Sequence, residues 1–214
     1  MNYLIFLNGE IPFHVYHKLF RGQENFIIAA DGGANGLRFN KIEPDIITGD
    51  LDSIKPEVLE YFSKKGTKII SSKDQETTDF EKTLKYCIEE KIKKIFVFGA
   101  VSERPDHTLN NFSVLKRYCR KTDIVLYSEE FEIFFIDSEV KFNYRKNETV
   151  SLMPFPKADR IITSGLKYKL NREKLELGKR EGSLNLSVSE KVKISYQSGY
   201  LLLFKKHFIN SRKI

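Results

Sequence analysis

Two carboxylates, Asp50 and Asp52, follow directly after the short apolar segment 45–48 (DIIT). A segment of this kind is typical of a buried β-strand, so both side chains are expected where a strand ends. Carboxylates this close together repel each other, and the repulsion costs stability unless a positive charge lies between them. The pair therefore indicates a bound metal ion, a nearby Lys or Arg, or contact with water alone.

Carboxylates recur after three further apolar segments: Asp31 after 26–30, Asp74 and Asp79 after 67–70, and Asp106 after 95–98. Each aspartate alone is more often a helix cap or a turn residue. The carboxyl ends of parallel strands share one edge of a sheet, however, and that edge is where such sheets bind ligands. Four clusters on one edge are hard to explain by turns alone.

Carboxylates gathered at such an edge suit a hard divalent cation. Mg²⁺ takes oxygen ligands and is typically held by one or two carboxylates together with substrate phosphates. Gly32, Gly33 and Gly36 would let backbone N–H groups approach a phosphate where the next helix begins. Arg104 would neutralise charge on a transferred group. These residues predict a metal–nucleotide site for phosphoryl transfer.

Several other kinds of site are excluded. The P-loop motif GxxxxGK[ST] is absent, and DGGANG (31–36) does not match the dinucleotide fingerprint GxGxxG. The four histidines are dispersed, and their spacing does not suit zinc. The sequence contains no zinc-finger, RRM or helix-turn-helix signature.

The first 130 residues alternate short apolar segments with helical patterns, which must position these side chains. Strands are predicted at 3–8, 26–30, 45–48, 67–70, 95–98 and 123–127, and helices at Ala34–Asn40, Pro56–Lys65, Thr78–Glu90 and Pro105–Arg120. Strands that alternate with helices are typical of βαβ units and a parallel sheet. We predict that residues 1–130 form a Rossmann-like, mostly parallel α/β domain that carries the nucleotide and Mg²⁺ site.

After about residue 130 the helical patterns stop and alternating segments follow. Strands are predicted at 131–136, 140–145, 149–155, 160–164, 166–170, 187–196 and 199–204. Short strands separated by Gly, Pro and Asn indicate a small antiparallel sandwich or barrel. We place the boundary near 128–140 and predict a small all-β sandwich domain at 138–214.

The composition limits the possible partners. With 214 residues and 41% apolar content, the chain can bury a sizeable core. The net charge of +7 suggests nucleic acid, but 1–130 hold 19 basic and 20 acidic side chains, whereas 131–214 hold 17 and 9. The excess is mostly dispersed singly along alternating strands, as on a solvated β-face. We therefore expect no nucleic-acid partner.

The sequence also predicts a cytoplasmic protein without membrane contact. No apolar run approaches the ~20 residues that span a bilayer. The N-terminal run Tyr3–Leu7 lacks the basic flank of a signal peptide. Cys87 and Cys119 lie far apart in helix-like segments and form no CxxC pair, so both are expected to be reduced thiols.

Five segments, in order along the chain, resemble the thiamine pyrophosphokinase family: DGGAN (31–35), PDIITGDLDS (44–53), DQETTDFEKTL (74–84), RPDHTLNN (104–111) and GLKYKL (165–170). The resemblance covers nearly the whole chain, and the GDxDS and TDxxK segments are specific in combination. It implies an α/β nucleotide domain followed by a β-sandwich, and transfer of pyrophosphate from ATP to the hydroxyl of thiamine with release of AMP. It also implies a homodimer with shared active sites, in which thiamine binds between the nucleotide domain of one subunit and the sandwich of the other.

The resemblance implies roles for individual residues. The acidic group around Mg²⁺ and the phosphates comprises Asp31, Asp50, Asp52 and Asp79. Nucleotide and phosphate contacts are implied for Gly32, Gly33, Lys82, Arg104, Asp106 and Asn111, and thiamine contacts for Gln75, Tyr168, Ser183 and Asn185. Tyr168 would stack on the cationic ring of thiamine. The implied catalytic residues are Asp50, Asp52, Asp79 and Arg104, and no general base is assigned.

Two departures from the family pattern leave alternatives open. Ser102 and Glu103 stand where the family usually has glycines, and Leu184 stands where it has a serine before Asn. One alternative is a related Mg²⁺-dependent phosphotransferase with another acceptor or nucleotide. The other is a catalytically weak protein that binds thiamine or a nucleotide. Lys82, three residues after Asp79, is also open to a plain interpretation as a surface ion pair.

Overall fold

The computed structural model describes residues 1–72, 74 and 76–209. These residues form two compact units, one of Met1–Glu130 with Ile209 and the other of Phe131–Phe208. Within the described residues, no helix has both the length and the apolar character needed to cross a membrane.

The first unit is a parallel sheet flanked by helices. Its strands are β1 (Asn2–Phe6), β2 (Asn25–Ala30), β3 (Ile46–Gly49), β4 (Lys68–Ser71), β5 (Lys94–Phe98) and β6 (Asp123–Tyr127). Its helices are α1 (Phe13–Leu19), α2 (Gly33–Phe39), α3 (Pro56–Lys64), α4 (Asp79–Glu89) and α5 (Pro105–Tyr118). Every pairing among these strands is parallel, so the predicted α/β class and parallel sheet are confirmed.

The strand order β4-β3-β2-β1-β5-β6 reverses at β1. The chain winds outward from β1 to β4 and then returns to place β5 on the other side of β1. Sheets of this kind bind ligands outside the carboxyl ends of the strands at the reversal. There, a Cβ on Gly9 would stand 2.1 Å from the carbonyl oxygen of Gly99. Because glycine has no Cβ, the loops after β1 and β5 can approach this closely.

Helix α1 was not predicted from the sequence. It has no side-chain cap and no acidic residue in its first turn, and so short a helix is unstable in isolation. Packing stabilises it instead, because Val15 and Tyr16 are buried. The ring of Tyr16 meets Phe6 and Phe98 edge-on, with centroids 5.5 and 6.2 Å apart. Helix α1 is therefore stabilised by packing against the core, and its local sequence carries little helix signal.

The second unit, in its described residues, is built from antiparallel strands. They are β7 (Phe131–Ile136), β8 (Glu139–Asn143), β9 (Thr149–Ser164), β10 (Asn171–Glu176), β11 (Gly182–Leu186), β12 (Lys191–Ser195) and β13 (Ser198–Lys206). The long strand β9 pairs with β10, β11, β12 and β13. The two strands predicted at 149–155 and 160–164 are therefore one element. Leu152, Ile161 and Leu203 belong to the core of this unit.

The prediction of a strand at 166–170 is wrong. This segment is a loop with a single isolated bridge from Leu166 to Ser187. Leu166 and Leu170 are buried while Tyr168 is exposed, so the alternation comes from a loop that is anchored at both ends. Strands β10 and β11, which follow the loop, were not predicted.

An ion pair between a buried glutamate and a half-exposed arginine joins α4 to α5. The carboxylate of Glu81, which is 6% exposed, accepts hydrogen bonds from Arg117 at 2.5 Å and from the hydroxyl of Tyr118 at 2.7 Å. Burial alone would raise the pKa of Glu81, but these two donors hold it below its ordinary value. Thr78 caps the same helix by accepting a hydrogen bond from the Glu81 N–H. These contacts fix the helix that begins at Asp79.

We expect Glu81→Ala to lower the free energy of unfolding at pH 7 by about 2 kcal/mol, since it leaves Tyr118 and the half-exposed Arg117 without their carboxylate. Because the folded pKa lies below the unfolded one, the stabilisation is present above the unfolded pKa of about 4.3 and is lost as the pH falls through the folded value. Urea unfolding at pH 7 and pH 3 measures both effects. Glu89→Ala, an exposed position on the same helix, should change stability by less than about 0.5 kcal/mol. An equal loss for Glu81→Ala at both pH values would contradict the role of the charge.

Candidate active site

Three of the aspartates predicted at strand ends lie together. Asp31 follows β2, Asp50 follows β3 and Asp79 begins α4. One carboxylate oxygen of each lies within 4.8 Å of the corresponding atoms of the other two. We call these three residues the carboxylate cluster.

Asp31 is the most buried member of the carboxylate cluster, at 1% exposure. Its carboxylate accepts backbone hydrogen bonds from Ser53 at 3.0 Å and Ile54 at 3.1 Å. Burial raises the pKa of Asp31, and the Ser53 N–H opposes this by stabilising the ionised form. The loop that follows β3 therefore holds Asp31 in place.

Lys82 contributes a positive charge to the carboxylate cluster. Its Nζ lies 2.9 Å from Oδ2 of Asp50 and 3.2 Å from Oδ1 of Asp79. Burial alone would lower the pKa of Lys82, but the hydrogen bonds to the two aspartates raise it, and the Lys82 hydrogen bond lowers the pKa of Asp50. The Lys82 side chain is only 6% exposed. The interpretation as a surface ion pair is therefore wrong, since α4 turns this side chain inward.

A buried pair of hydroxyls ties β3 to α4. The hydroxyl of Thr83 donates to the carbonyl oxygen of Asp79 at 2.7 Å, and its Oγ1 lies 2.7 Å from that of Thr48. A hydroxyl has one proton to donate, so Thr48 is the donor within the pair. The contact fixes the start of α4 against the strand that leads to Asp50.

Close packing explains why glycines follow Asp31. A Cβ on Gly33 would lie 2.1 Å from the carbonyl oxygen of Phe6, and a Cβ on Gly32 would lie 2.4 Å from the side chain of Asn8. Glycine therefore lets the start of α2 pack against the end of β1. Phosphate binding by Gly32 and Gly33 stays a prediction.

A cavity of about 400 Å³ lies beside the carboxylate cluster. Its lining includes the predicted residues Asp31, Asp50, Asp79, Asp106 and Asn111, together with Asn8, Ser102, His107 and Asn110, which were not predicted as site residues. Asn8 follows β1, at the reversal of strand order. Its place at the reversal identifies it as a candidate site residue once the strand order is known. The sequence pattern of aspartates after strands does not include it, because its side chain is an amide.

Other predicted residues are not members of the carboxylate cluster, although Asp52 hydrogen-bonds to Asp50 and helps to lower the pKa of that carboxylate. Asp52 is exposed and accepts a hydrogen bond from the Ser53 hydroxyl at 2.9 Å. The guanidinium of Arg104 donates to Asp106 at 2.5 and 3.2 Å, and it holds the pKa of Asp106 at about 2. Gln75 lies outside the described residues. The roles assigned to these residues stay predictions.

Asn111 and Thr108 shape the loop after β5. The amide of Asn111 donates to the carbonyl oxygen of Ala100 at 2.8 Å. The Ser102 N–H donates to the hydroxyl of Thr108 at 3.1 Å. Ser102 is therefore held by contacts with α5, although it stands where a glycine was expected.

In the second unit, Asn185 holds the loop that carries Tyr168. Its side-chain oxygen accepts from the Tyr168 N–H at 3.0 Å, and its amide donates to the Tyr168 carbonyl oxygen at 2.7 Å. Asn185 is buried, whereas Tyr168 is 61% exposed. Ser183 and Leu184 are exposed, and Leu184 has a φ of +57° where the pairing of β11 with β9 is irregular.

Two family models match most of the chain. Residues 17–127 match "Thiamin pyrophosphokinase, catalytic domain", and residues 136–201 match "Thiamin pyrophosphokinase, vitamin B1 binding domain". The chain belongs to the thiamin pyrophosphokinase family. The carboxylate cluster, Lys82 and most of the residues that line the cavity lie in the range matched by the catalytic domain. Tyr168, Ser183 and Asn185 lie in the range matched by the vitamin-binding domain.

Individual thiamin pyrophosphokinases are similar over nearly the whole chain. Thiamine pyrophosphokinase 1 of Oryza sativa subsp. japonica is 31% identical over 196 residues, which cover 85% of this chain and 72% of that protein. Thiamine pyrophosphokinase 1 of Arabidopsis thaliana is 30% identical over 227 residues, which cover 92% and 84%. The structure of thiamin pyrophosphokinase from Candida albicans matches with a TM-score of 0.84 at 24% identity, covering 96% of this chain and 88% of that one. This last likeness shows a shared fold.

The carboxylate cluster of this thiamin pyrophosphokinase family member fits a divalent cation. Oδ1 of Asp50 is buried, and it has no hydrogen-bond partner among the described residues. Buried polar atoms normally have a partner. Three carboxylates also provide the oxygen ligands that hard divalent cations prefer.

Gly49→Ala tests how tightly the carboxylate cluster is packed. A Cβ at this position would lie 2.9 Å from both Cβ of Asp31 and Oδ1 of Asp79, on a backbone with φ +133°. We expect a loss of turnover of about 10²-fold, because displacement of catalytic groups by about 1 Å costs that much. Gly66→Ala is the matched control, since Gly66 has φ +85° and no atom within 4 Å of the added Cβ. Steady-state kinetics should show a far larger loss for Gly49→Ala, and equal losses would contradict the packing argument.

Proposed function

We propose that this protein transfers the pyrophosphate group of ATP to the hydroxyl of thiamine and releases AMP, with the carboxylate cluster as its catalytic centre. The family is that of thiamin pyrophosphokinases, and both of its domains match in order along the chain. The observation that carries the proposal is the convergence of Asp31, Asp50, Asp79 and Lys82 beside a cavity. Carboxylates at the carboxyl edge of a parallel sheet, with a lysine from helix α4 beside them, suit the binding of a metal–nucleotide complex.

Mg²⁺ is the proposed metal, and Asp31, Asp50 and Asp79 would hold it. When bound, Mg²⁺ neutralises charge on phosphate oxygens and stabilises the charge that develops during transfer. Asp52, exposed and two residues beyond Asp50, is proposed to approach the metal or the phosphates once a nucleotide is present. The unpaired oxygen of Asp50 supports the metal assignment.

Positive side chains of the chain meet the phosphates in this proposal. Lys82 stands beside Asp50 and Asp79, and Arg104 stands at the N-terminal end of α5 with Asp106. In the proposed reaction the thiamine hydroxyl attacks the β-phosphorus in line, and these cations stabilise negative charge on the AMP leaving group. A loose transition state needs little help from a base, so none is assigned.

The second unit is proposed to form a β-sandwich that binds thiamine. The exposed ring of Tyr168 would stack on the cationic thiazolium. Asn185 uses both ends of its amide on the backbone of Tyr168, so we propose that it positions this ring, while Ser183 faces the vitamin. A homodimer with shared active sites is proposed from the family resemblance. A cytoplasmic location is proposed from the sequence, as is the reduced state of Cys87 and Cys119.

Product analysis tests the reaction. Incubation with Mg²⁺ and ATP should release AMP only when thiamine is present, with an equal amount of thiamine diphosphate. AMP, ADP and orthophosphate are separated by chromatography. ADP would indicate transfer of a single phosphoryl group, and thiamine-independent products would indicate another acceptor. Saturable thiamine binding without any product would identify a binding protein.

Substitutions test the site. Asp50→Asn and Asp79→Asn should each lower turnover by at least about 10³-fold, because each removes a charge that the metal and Lys82 require. Asp123→Asn is the matched control: Asp123 is exposed and begins β6, at the opposite edge of the same sheet. It should retain full turnover. Full activity in both cluster variants would contradict the assignment of the site.

A further inference from the structure

Lys82 is hydrogen-bonded to two of the three carboxylates that would hold the proposed metal. Its Nζ hydrogen-bonds to Oδ2 of Asp50 and Oδ1 of Asp79, at 2.9 and 3.2 Å. Both residues belong to the carboxylate cluster. In the described parts of the chain, no other Lys or Arg forms an ion pair with these carboxylates. Lys82 is therefore the cation that balances part of their charge when no metal is bound.

A metal ion and the Lys82 ammonium compete for the negative charge of the same carboxylates, although Oδ1 of Asp50, which Lys82 does not contact, is open to the metal. A divalent ion bonded to Asp50 and Asp79 would sit about 2.1 Å from their oxygens, while Nζ stays about 3 Å from them. Two cations only a few ångströms apart in a poorly solvated site repel each other strongly. While Lys82 keeps its two hydrogen bonds, it therefore weakens binding of the metal alone.

A nucleotide offers Lys82 another partner. The cavity beside the carboxylate cluster has room for polyphosphate, and a lysine side chain has a flexible stem that can swing its ammonium group to a phosphate oxygen. The loss of two carboxylate contacts is then offset by charge-assisted contacts to phosphate. A metal that repels Lys82 and a nucleotide that receives it would assist each other's binding, and this coupling is reciprocal.

We propose that Lys82 is an internal counter-cation that weakens metal binding until a nucleotide takes its ammonium group, so that metal and nucleotide bind cooperatively. The inference rests on the proposed function, since it assumes the metal–nucleotide site. It goes beyond a fixed contact between Lys82 and phosphate, because movement of Lys82 would couple metal binding to nucleotide binding.

The test measures Mn²⁺ binding by electron paramagnetic resonance, with and without α,β-methylene-ATP, an analogue that resists cleavage at the bond broken in pyrophosphate transfer. Lys82→Met should tighten binding of Mn²⁺ alone by about tenfold. The coupling is measured by the Mn²⁺ dissociation constant without the analogue divided by the constant with it. Lys82→Met should lower this ratio by about tenfold. Lys82→Gln should behave in the same way and guards against a folding defect in one variant. Lys85→Met, an exposed lysine three residues further along α4, should change neither constant.

Two results would overturn the inference. Unchanged or weaker binding of Mn²⁺ alone in Lys82→Met would mean that Lys82 does not compete with the metal. Equal tightening with and without the analogue would mean that Lys82 acts only through its field and stays in place. Asp50→Asn distinguishes this outcome from failure of the proposed function. If Asp50→Asn binds Mn²⁺ as tightly as the parent protein, with and without the analogue, the carboxylate cluster is not the metal site.

Discussion

Repulsion among three carboxylates is the constraint on which the rest of the site depends. Asp31, Asp50 and Asp79 bring their oxygens within 4.8 Å of one another, an arrangement that is unfavourable unless positive charge is present. Lys82 supplies one charge from within the chain. The remaining negative charge favours a divalent cation and its phosphate ligands. The same repulsion that destabilises the free protein would therefore provide affinity for the proposed metal–nucleotide complex.

The surrounding structure holds these side chains against that repulsion. Backbone N–H groups of the loop after β3 bond to Asp31, and the Thr48–Thr83 hydroxyl pair ties β3 to α4. The Glu81 ion pair fixes α4 against α5. All of these contacts join different elements of the first unit. The carboxylates are thus held at one sheet edge by contacts from several elements, which no single segment could provide.

Much of this edge could be predicted from the sequence, because strand ends and the aspartates that follow them are local features. The strands and helices before residue 130 agree with the prediction except for α1, which depends on packing of Tyr16 against the core. Asn8 and the buried position of Lys82 were missed because both depend on strand order and on how α4 turns. In the second unit, the alternating pattern of 166–170 was mistaken for a strand, since two anchoring leucines in a loop mimic the period of a strand.

The most direct test of the carboxylate cluster is the position of a metal in a crystal grown with Mn²⁺ and a non-cleavable ATP analogue, located by anomalous scattering. We expect a single strong peak bonded to the Asp50 carboxylate and to at least one of Asp31 and Asp79 at about 2.1 Å. The analogue's phosphates should complete its coordination. A peak held by phosphates alone, with Asp50 still hydrogen-bonded to Lys82, would contradict the account.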